Sequence, residues 1–424
     1  MRRRPMAAVG LLLLTMGLLA GCWDRTEVEQ QAFVLAIGVD KGEKSLYRVT
    51  FAIALPAKMA GGKEGGGGEG KPYMLTTIDA PTVVGAISIA DSYLSRQVSL
   101  RHTKALFMGE ELARISGMHT MDEFVRFRQA RRTILYVVTK GTAEAFLNGM
   151  DVKLEKDPHR FIEQLANNVR FTGTVPDGSQ IQHFITRVNT GYSEPVTYYA
   201  ALKEEGEDQG DAQQAEGKGN GTADQGGEKG FTAGELPRSG GPNIELIGAA
   251  AFRGERMVGT LTGEDMRMIL LMQGRFKRGY FSIPDPKQPD LFVSMEVHQG
   301  RPLIIETDVT GPRPKLNVVI TLEGEILAMQ SDHDYTEPEL QPVLEAALAS
   351  EVNKRMHAVI EKTQRWETDV VGFGEHVVKG FPTVDAWEAY KWPDRYASAE
   401  INTLVRVTLR RFGKQLSPPE ERNQ

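Results

Sequence analysis

Residues 32–55 read AFVLAIGVDKGEKSLYRVTFAIAL. Phe33 to Val39 is a continuous apolar run of strand length, and Lys41-Gly42-Glu43 supplies a turn. Beyond it Tyr47, Val49, Phe51, Ile53 and Leu55 alternate with Arg48, Thr50, Ala52 and Ala54. A period of two sustained from 47 to 55 is a strand with one buried face, so the stretch predicts a β-hairpin at the head of a sheet.

Downstream, strand and helix patterns alternate. Residues 73–79, YMLTTID, read as a strand. Pro81 to Gln97 reads as a helix with Val84, Ile87, Ala90, Asp91 and Leu94 at helical spacing. Lys104 to Met108 and Ile134 to Val138 are short strands, with a helix at Met121 to Gln129 between them. Thr142 caps a short helix to Leu147, and helical patterns cover Pro158 to Val169 and Ser179 to Val188. The alternation predicts an α+β, or mixed α/β, fold with hairpin-rich sheets flanked by helices.

After the low-complexity stretch 203–238 order returns. Ile244 to Phe252 and Met257 to Leu261 form a hairpin across Arg253-Gly254-Glu255. Thr262 is an N-cap, with Glu264 and Asp265 favourable in the first turn of a helix to Met272. Strands are expected at 291–297, 303–309 and 316–322. Thr336 to Trp366 reads as a long helix with Leu340, Val343, Leu344, Ala347 and Leu348 buried and Pro342 near its true start. INTLVRVTLRRF (401–412) is the last strand.

Two segments are poor in large apolar side chains. Residues 60–71, AGGKEGGGGEGK, imitate G-x-G-x-x-G and most of a P-loop. Pro72 stands where Ser or Thr would hold Mg²⁺, and a strand rather than a helix follows, so the run reads as a hairpin tip. Residues 203–238 hold nine acidic and four basic residues, net −5, and are expected to be disordered. Deleting 205–236 is therefore expected to leave thermal stability almost unchanged.

The chain opens with MRRRPMAAVGLLLLTMGLLAGCWDR. A basic start at Arg2, Arg3 and Arg4, an apolar run from Met6 to Leu19 and small residues before Cys22 read as a signal peptide rather than a membrane span. Leu19-Ala20-Gly21-Cys22 resembles the lipobox of bacterial lipoproteins, and Cys22 is the sole cysteine of 424 residues. The resemblance implies an S-diacylglycerol, N-acylated Cys22, a cut before it, and an anchor to the outer face of the cell membrane. The formal charge is −6; without Arg2, Arg3 and Arg4 the 50 basic residues become 47 against 56 acidic ones, net −9. That balance disfavours nucleic acid as a partner and leaves membrane attachment to the lipid.

Cys22-Trp23-Asp24-Arg25, Glu27, Glu29 and the run AFVLAIGVD ending at Asp40 resemble the Ger(x)C family, the lipoprotein C subunits of nutrient germinant receptors in endospore-forming bacteria. RQARRTILYVVTKGTA (128–143) and DVVGFGEHVVKGFP (369–382) are similar to its internal and C-terminal segments. The resemblance implies a non-enzymatic scaffolding or coupling subunit on the outer surface of the spore's inner membrane, with the receptor's A and B subunits as partners. The division expected is a signal peptide at 1–21, an N-terminal α/β domain at 22–200 and an acidic Gly-rich disordered linker at 201–243. A C-terminal α/β region follows at 244–415, with a candidate split near 300, and then a tail at 416–424.

Catalytic spacing is absent from the sequence: there is no H-E-x-x-H and no G-x-S-x-G. Asp332-His333-Asp334 is the densest group of ligand types, but neighbours on an extended chain point apart, so it reads as a turn. No metal, cofactor or catalytic residue is assigned, and the ligand-binding residues stay open. His102, His298, His357 and His376 read as structural, and Trp366, Trp387 and Trp392 either close a core or form an exposed docking surface. Two rival readings are a solute-binding lipoprotein of an importer, which expects two doubly wound lobes around a cleft, and a lipoprotein enzyme acting on the cell wall.

Overall fold

The computed structural model describes residues 27–56, 71–115, 118–151, 158–203 and 230–411. The signal peptide, Cys22, most of the glycine run, residues 204–229 and the tail at 416–424 lie outside them. The described strands form two sheets.

The opening hairpin is as read. β1 (Gln31–Lys41) pairs antiparallel with β2 (Tyr47–Ala54), Val39 opposite Val49, and β2 pairs in turn with β3 (Tyr73–Ala80). The other side of β1 is parallel. β4 (Gln97–Ser99) and β5 (Ala105–Gly109) pair with successive parts of it, followed by β6 (Leu135–Thr139) and β7 (Val196–Leu202). The sheet is finished by the antiparallel hairpin β8 (Ile244–Arg253) and β9 (Arg256–Leu261), which turns at Gly254 with φ +56°.

Helices cover both faces of this sheet. α1 (Val83–Asp91), α2 (Glu110–Ile115), α3 (Met118–Arg126) and, later in the chain, Ile181–Thr190 pack on one face, with Leu106, Met108, Tyr136 and Val138 beneath them. α4 (Ala143–Gly149) and α5 (Pro158–Thr172) cover the other, over Ala105, Phe107, Leu135 and Val137. The helix Ile181–Thr190 is α6. Double coverage explains why β5 and β6 are apolar at every position instead of alternating. α1 ends at Asp91 rather than at Gln97, and Ile87 and Ala90 of the predicted helical positions lie in its buried stripe. Val83, Ala86, Ile87 and Ala90 are buried, whereas Val84 is 43% exposed.

α7 (Gly263–Met272) begins with the predicted cap: Thr262 and Asp265 form a reciprocal capping box. Next come β10 (Arg278–Pro284), β11 (Phe292–Gln299), β12 (Ile304–Asp308) and β13 (Lys315–Met329) of the second sheet, which pair antiparallel with one another. α8 (Gln341–Arg365) carries Pro342 in its first turn, as that residue's position suggested, and crosses one face. Its buried residues run Leu344, Leu348, Val352, Met356, Val359 and Ile360, while Val343 is exposed. α9 (Gly374–Val377), α10 (Val384–Tyr390) and α11 (Trp392–Tyr396) lead into β14 (Glu400–Arg411), parallel to β13.

Three sequence expectations need correction. The sequence patterns show no strand at β4, β7 or β10: Gln97 of β4 falls at the end of the helix read from Pro81, VTYYAAL lacks a period, and RGYFSIP is flanked by turn residues. The C-terminal region was expected to open at 244, but the pairing of β8 with β7 carries the first sheet on through Leu261. β8 is a wall shared by two cores: Ala250 and Phe252 face the first, Ala249 and Ala251 the second. The expected disordered linker at 201–243 is ordered at both ends. Ala201 lies buried in β7, and residues 230–243 fold around Glu245, itself 2% exposed. The Glu245 carboxylate accepts from the amides of Gly234 and Leu236 and pairs with Arg238 at 2.8 Å. A deletion of 205–236 would cut into this packed segment.

Candidate functional site

The segments that carry the family resemblance meet at two buried carboxylates. Asp40 ends the apolar run of β1 and is 4% exposed. Its Oδ1 accepts from the Ala143 amide at 2.7 Å and its Oδ2 from the Glu144 amide at 2.9 Å. A strand residue thereby caps α4 from outside, offering negative charge to a helix N-terminus. Gly109 faces it because a Cβ there would overlap the Asp40 carboxylate. Glu144 is held by Arg48 of β2 at 2.6 Å. Burial raises the Asp40 pKa above its ordinary value, and the two donated amides oppose that shift.

Asp369 is the centre of the second cluster and is 2% exposed. Its Oδ1 accepts from the amides of Gly372 (2.8 Å) and Phe373 (3.1 Å), and its Oδ2 from the Gly374 amide and the Trp392 indole N–H, both at 2.8 Å. Burial raises its pKa, against four donors that favour the anion. The turn that aims these donors needs φ +88° at Gly372, and a Cβ on Gly374 would overlap the Tyr192 carbonyl. This loop joins the two halves: Glu194 donates its amide to the Asp369 carbonyl at 2.8 Å, and Thr368 Oγ1 donates to the Phe252 carbonyl at 2.6 Å.

Beside this junction a cleft of about 360 Å³ opens. α6 supplies Gln182, His183, Thr186 and Arg187; α7 supplies Met266 and the turn after it Gln273 and Arg275; Glu375 comes from α9 and Asp177 from the segment before α6. Arg187, Gln273, Arg275 and Glu375 also line a smaller adjoining pocket with Gly372, Phe373 and His376. Gln273 Nε2 donates to the Val370 and Val371 carbonyls at 3.3 and 3.0 Å, fixing one wall. Arg187 Nη1 donates to the Glu194 carbonyl at 3.2 Å. Burial holds the Arg187 guanidinium below its ordinary pKa, with Glu375 acting against that shift and Arg275 adding to it. Burial and then Lys379 likewise lower the His376 pKa.

The residues singled out in the sequence are dispersed. Cys22 lies outside the described residues. Asp332-His333-Asp334 forms a turn in which Asp334 caps Thr336, and among the described residues no group of three His, Cys, Asp or Glu side chains is placed to hold a metal ion. His102 packs edge-on against Phe33, His298 lies 3.7 Å from Glu323, and His357 reaches Thr403. Trp387 and Trp392 are 6% and 1% exposed, and Trp366 packs against the same core, so the tryptophans close a core rather than present a docking surface. The sequence does carry a signal for Asp369, an acid followed by Gly-Phe-Gly at the spacing of a carboxylate-bound turn. Arg187 and Arg275 belong to segments far apart in the chain and share no local pattern.

Comparison with known proteins agrees with this architecture. Residues 24–202 match the family model for the spore germination protein N-terminal domain, and residues 247–413 that for the spore germination B3/GerAC-like C-terminal domain. Spore germination protein KC of Bacillus subtilis (strain 168) is 23% identical over 427 residues, covering 99% of this chain and 98% of that protein. Spore germination protein B3 of the same organism is 21% identical over 403 residues, covering 93% and 95%. The crystal structure of the GerBC protein superposes with a TM-score of 0.51 at 15% identity, covering 90% of this chain and 99% of that one, a likeness of fold. With both halves matched in order and the quoted segments forming the two carboxylate clusters, the chain belongs to the Ger(x)C family of spore germination proteins.

Proposed function

We propose that this chain is the lipid-anchored C subunit of a nutrient germinant receptor, a non-catalytic protein that scaffolds or couples the A and B subunits. The observation that carries the reading is the match of both halves to spore germination families, joined to the Leu19-Ala20-Gly21-Cys22 run ahead of the first matched residue. In this reading Cys22 carries the diacylglycerol and an N-acyl chain. Each buried methylene contributes about 0.8 kcal/mol, so two or more chains hold the body on the outer face of the spore's inner membrane. Two sheet units joined by a buried junction form a body suited to linking neighbours. Among the described residues no helix is long and apolar enough to cross a membrane; the attachment proposed here rests on Cys22.

Mass spectrometry of the mature N-terminus is expected to show lipid-modified Cys22. Spores of a deletion strain are expected to form normally, respond poorly to the receptor's nutrient and still germinate with agents that bypass nutrient receptors. An intact Met1 would remove the anchor. Normal answers to every nutrient, with no related receptor covering the loss, would remove the receptor assignment.

A further inference from the structure

We infer that the cleft between α6, α7 and α9 is a binding site for a small oxyanion, a carboxylate or phosphate group, clasped by Arg187 from one half of the molecule and Arg275 from the other. The cleft's volume of about 360 Å³ suits a small metabolite. A guanidinium has five N–H donors. Among the described residues the side chain of Arg187 uses one nitrogen, on the Glu194 carbonyl, and the side chain of Arg275 makes no hydrogen bond or ion pair. Two like charges facing one cavity are mutually unfavourable until an anion sits between them, and the guanidinium fork matches carboxylate and phosphate oxygens. Two carboxylates, Glu375 and Asp177, line the same cleft; Glu375 is held toward Ser193 Oγ at 3.4 Å, and among the described residues no ion pair joins either acid to Arg187 or Arg275. Burial around Arg187 strengthens the pull on an incoming anion.

The proposal does not depend on the receptor reading. Because the two arginines belong to different halves, occupancy would tighten the junction at Asp369.

The test is isothermal titration of the full chain in detergent with inorganic phosphate and, separately, with malonate, at ionic strength held constant with chloride. Saturable one-to-one binding of at least one anion is expected. Arg275→Ala should weaken it by about tenfold and Arg187→Gln by at least as much, whereas Arg406→Ala, on the exposed face of β14, should leave it unchanged. Since Arg275 is exposed, its variant should melt like the wild type without anion, which separates lost binding from lost folding. Binding of phosphate alone or malonate alone supports the site and names the group it takes. No saturable binding of either up to about 10 mM, or equal affinity in both cleft variants and the wild type, would overturn the proposal.

Discussion

Among the described residues a nine-stranded sheet is buried on both faces and a five-stranded sheet on one. In the first, β5 and β6 run as unbroken apolar stretches between two helical layers. In the second, β10 and β11 alternate buried and exposed positions, and β13 does so over most of its length. The two parts also use their buried carboxylates differently. Asp40 works within one unit, tying β1 to α4 of the same sheet. Asp369 works between units, holding the loop to which Glu194 of the first half donates its amide and Ser193 its hydroxyl. A buried carboxylate with only backbone and indole donors is a geometric fastener, and its place decides whether its loss loosens one unit or the seam between two.

Several substitutions would break or sharpen this contrast. Val49→Asp should have the largest effect. Val49 is fully buried in β2, so an unpaired carboxylate there costs several kcal/mol and should abolish the folded first sheet, read as loss of the cooperative thermal transition. Asp369→Ala comes next. It strands three amides and an indole N–H, about 4 kcal/mol in all, and should split unfolding into two transitions as the halves uncouple. A single transition of unchanged cooperativity would show that Asp369 is not the seam's fastener.

Asp40→Ala leaves two amides of α4 uncapped and should cost about 2 kcal/mol while keeping one transition, because the damage stays within one unit. Trp392→Phe removes one of the four donors and some volume from the second core, so a loss of about 2 kcal/mol by denaturant titration is expected. His333→Ala, in a turn outside both clusters, should change stability by less than about 0.5 kcal/mol. A larger change would revive a structural role for the Asp332–Asp334 turn.

Local physical rules made much of the fold readable. The hairpin of β1 and β2 follows from an apolar run, a turn and a strict period of two. The caps at Thr142 and Thr262 follow from hydroxyls placed where a helix must satisfy its first amides. Pro342 marks the start of α8 because proline lacks the amide that a first turn leaves unused. The strand β7 escaped notice because a central strand covered on both faces has no period to display.

What the sequence by itself determined is therefore the set of local elements, their caps and turns, and the segments that mark the family. What only the tertiary structure decided is which elements share a sheet, a core or a cleft. The hairpin 244–261 closes the first sheet although a long low-complexity stretch precedes it, because β7 leaves an edge whose backbone groups β8 satisfies. The linker's end at 230–243 is ordered because a single buried acid, Glu245, gathers its amides. Arg187, Arg275 and Glu375 line one cleft only because α6, α7 and α9 pack around the Asp369 loop. Contacts between segments so distant in sequence depend on the packing of whole faces, and no local pattern encodes them.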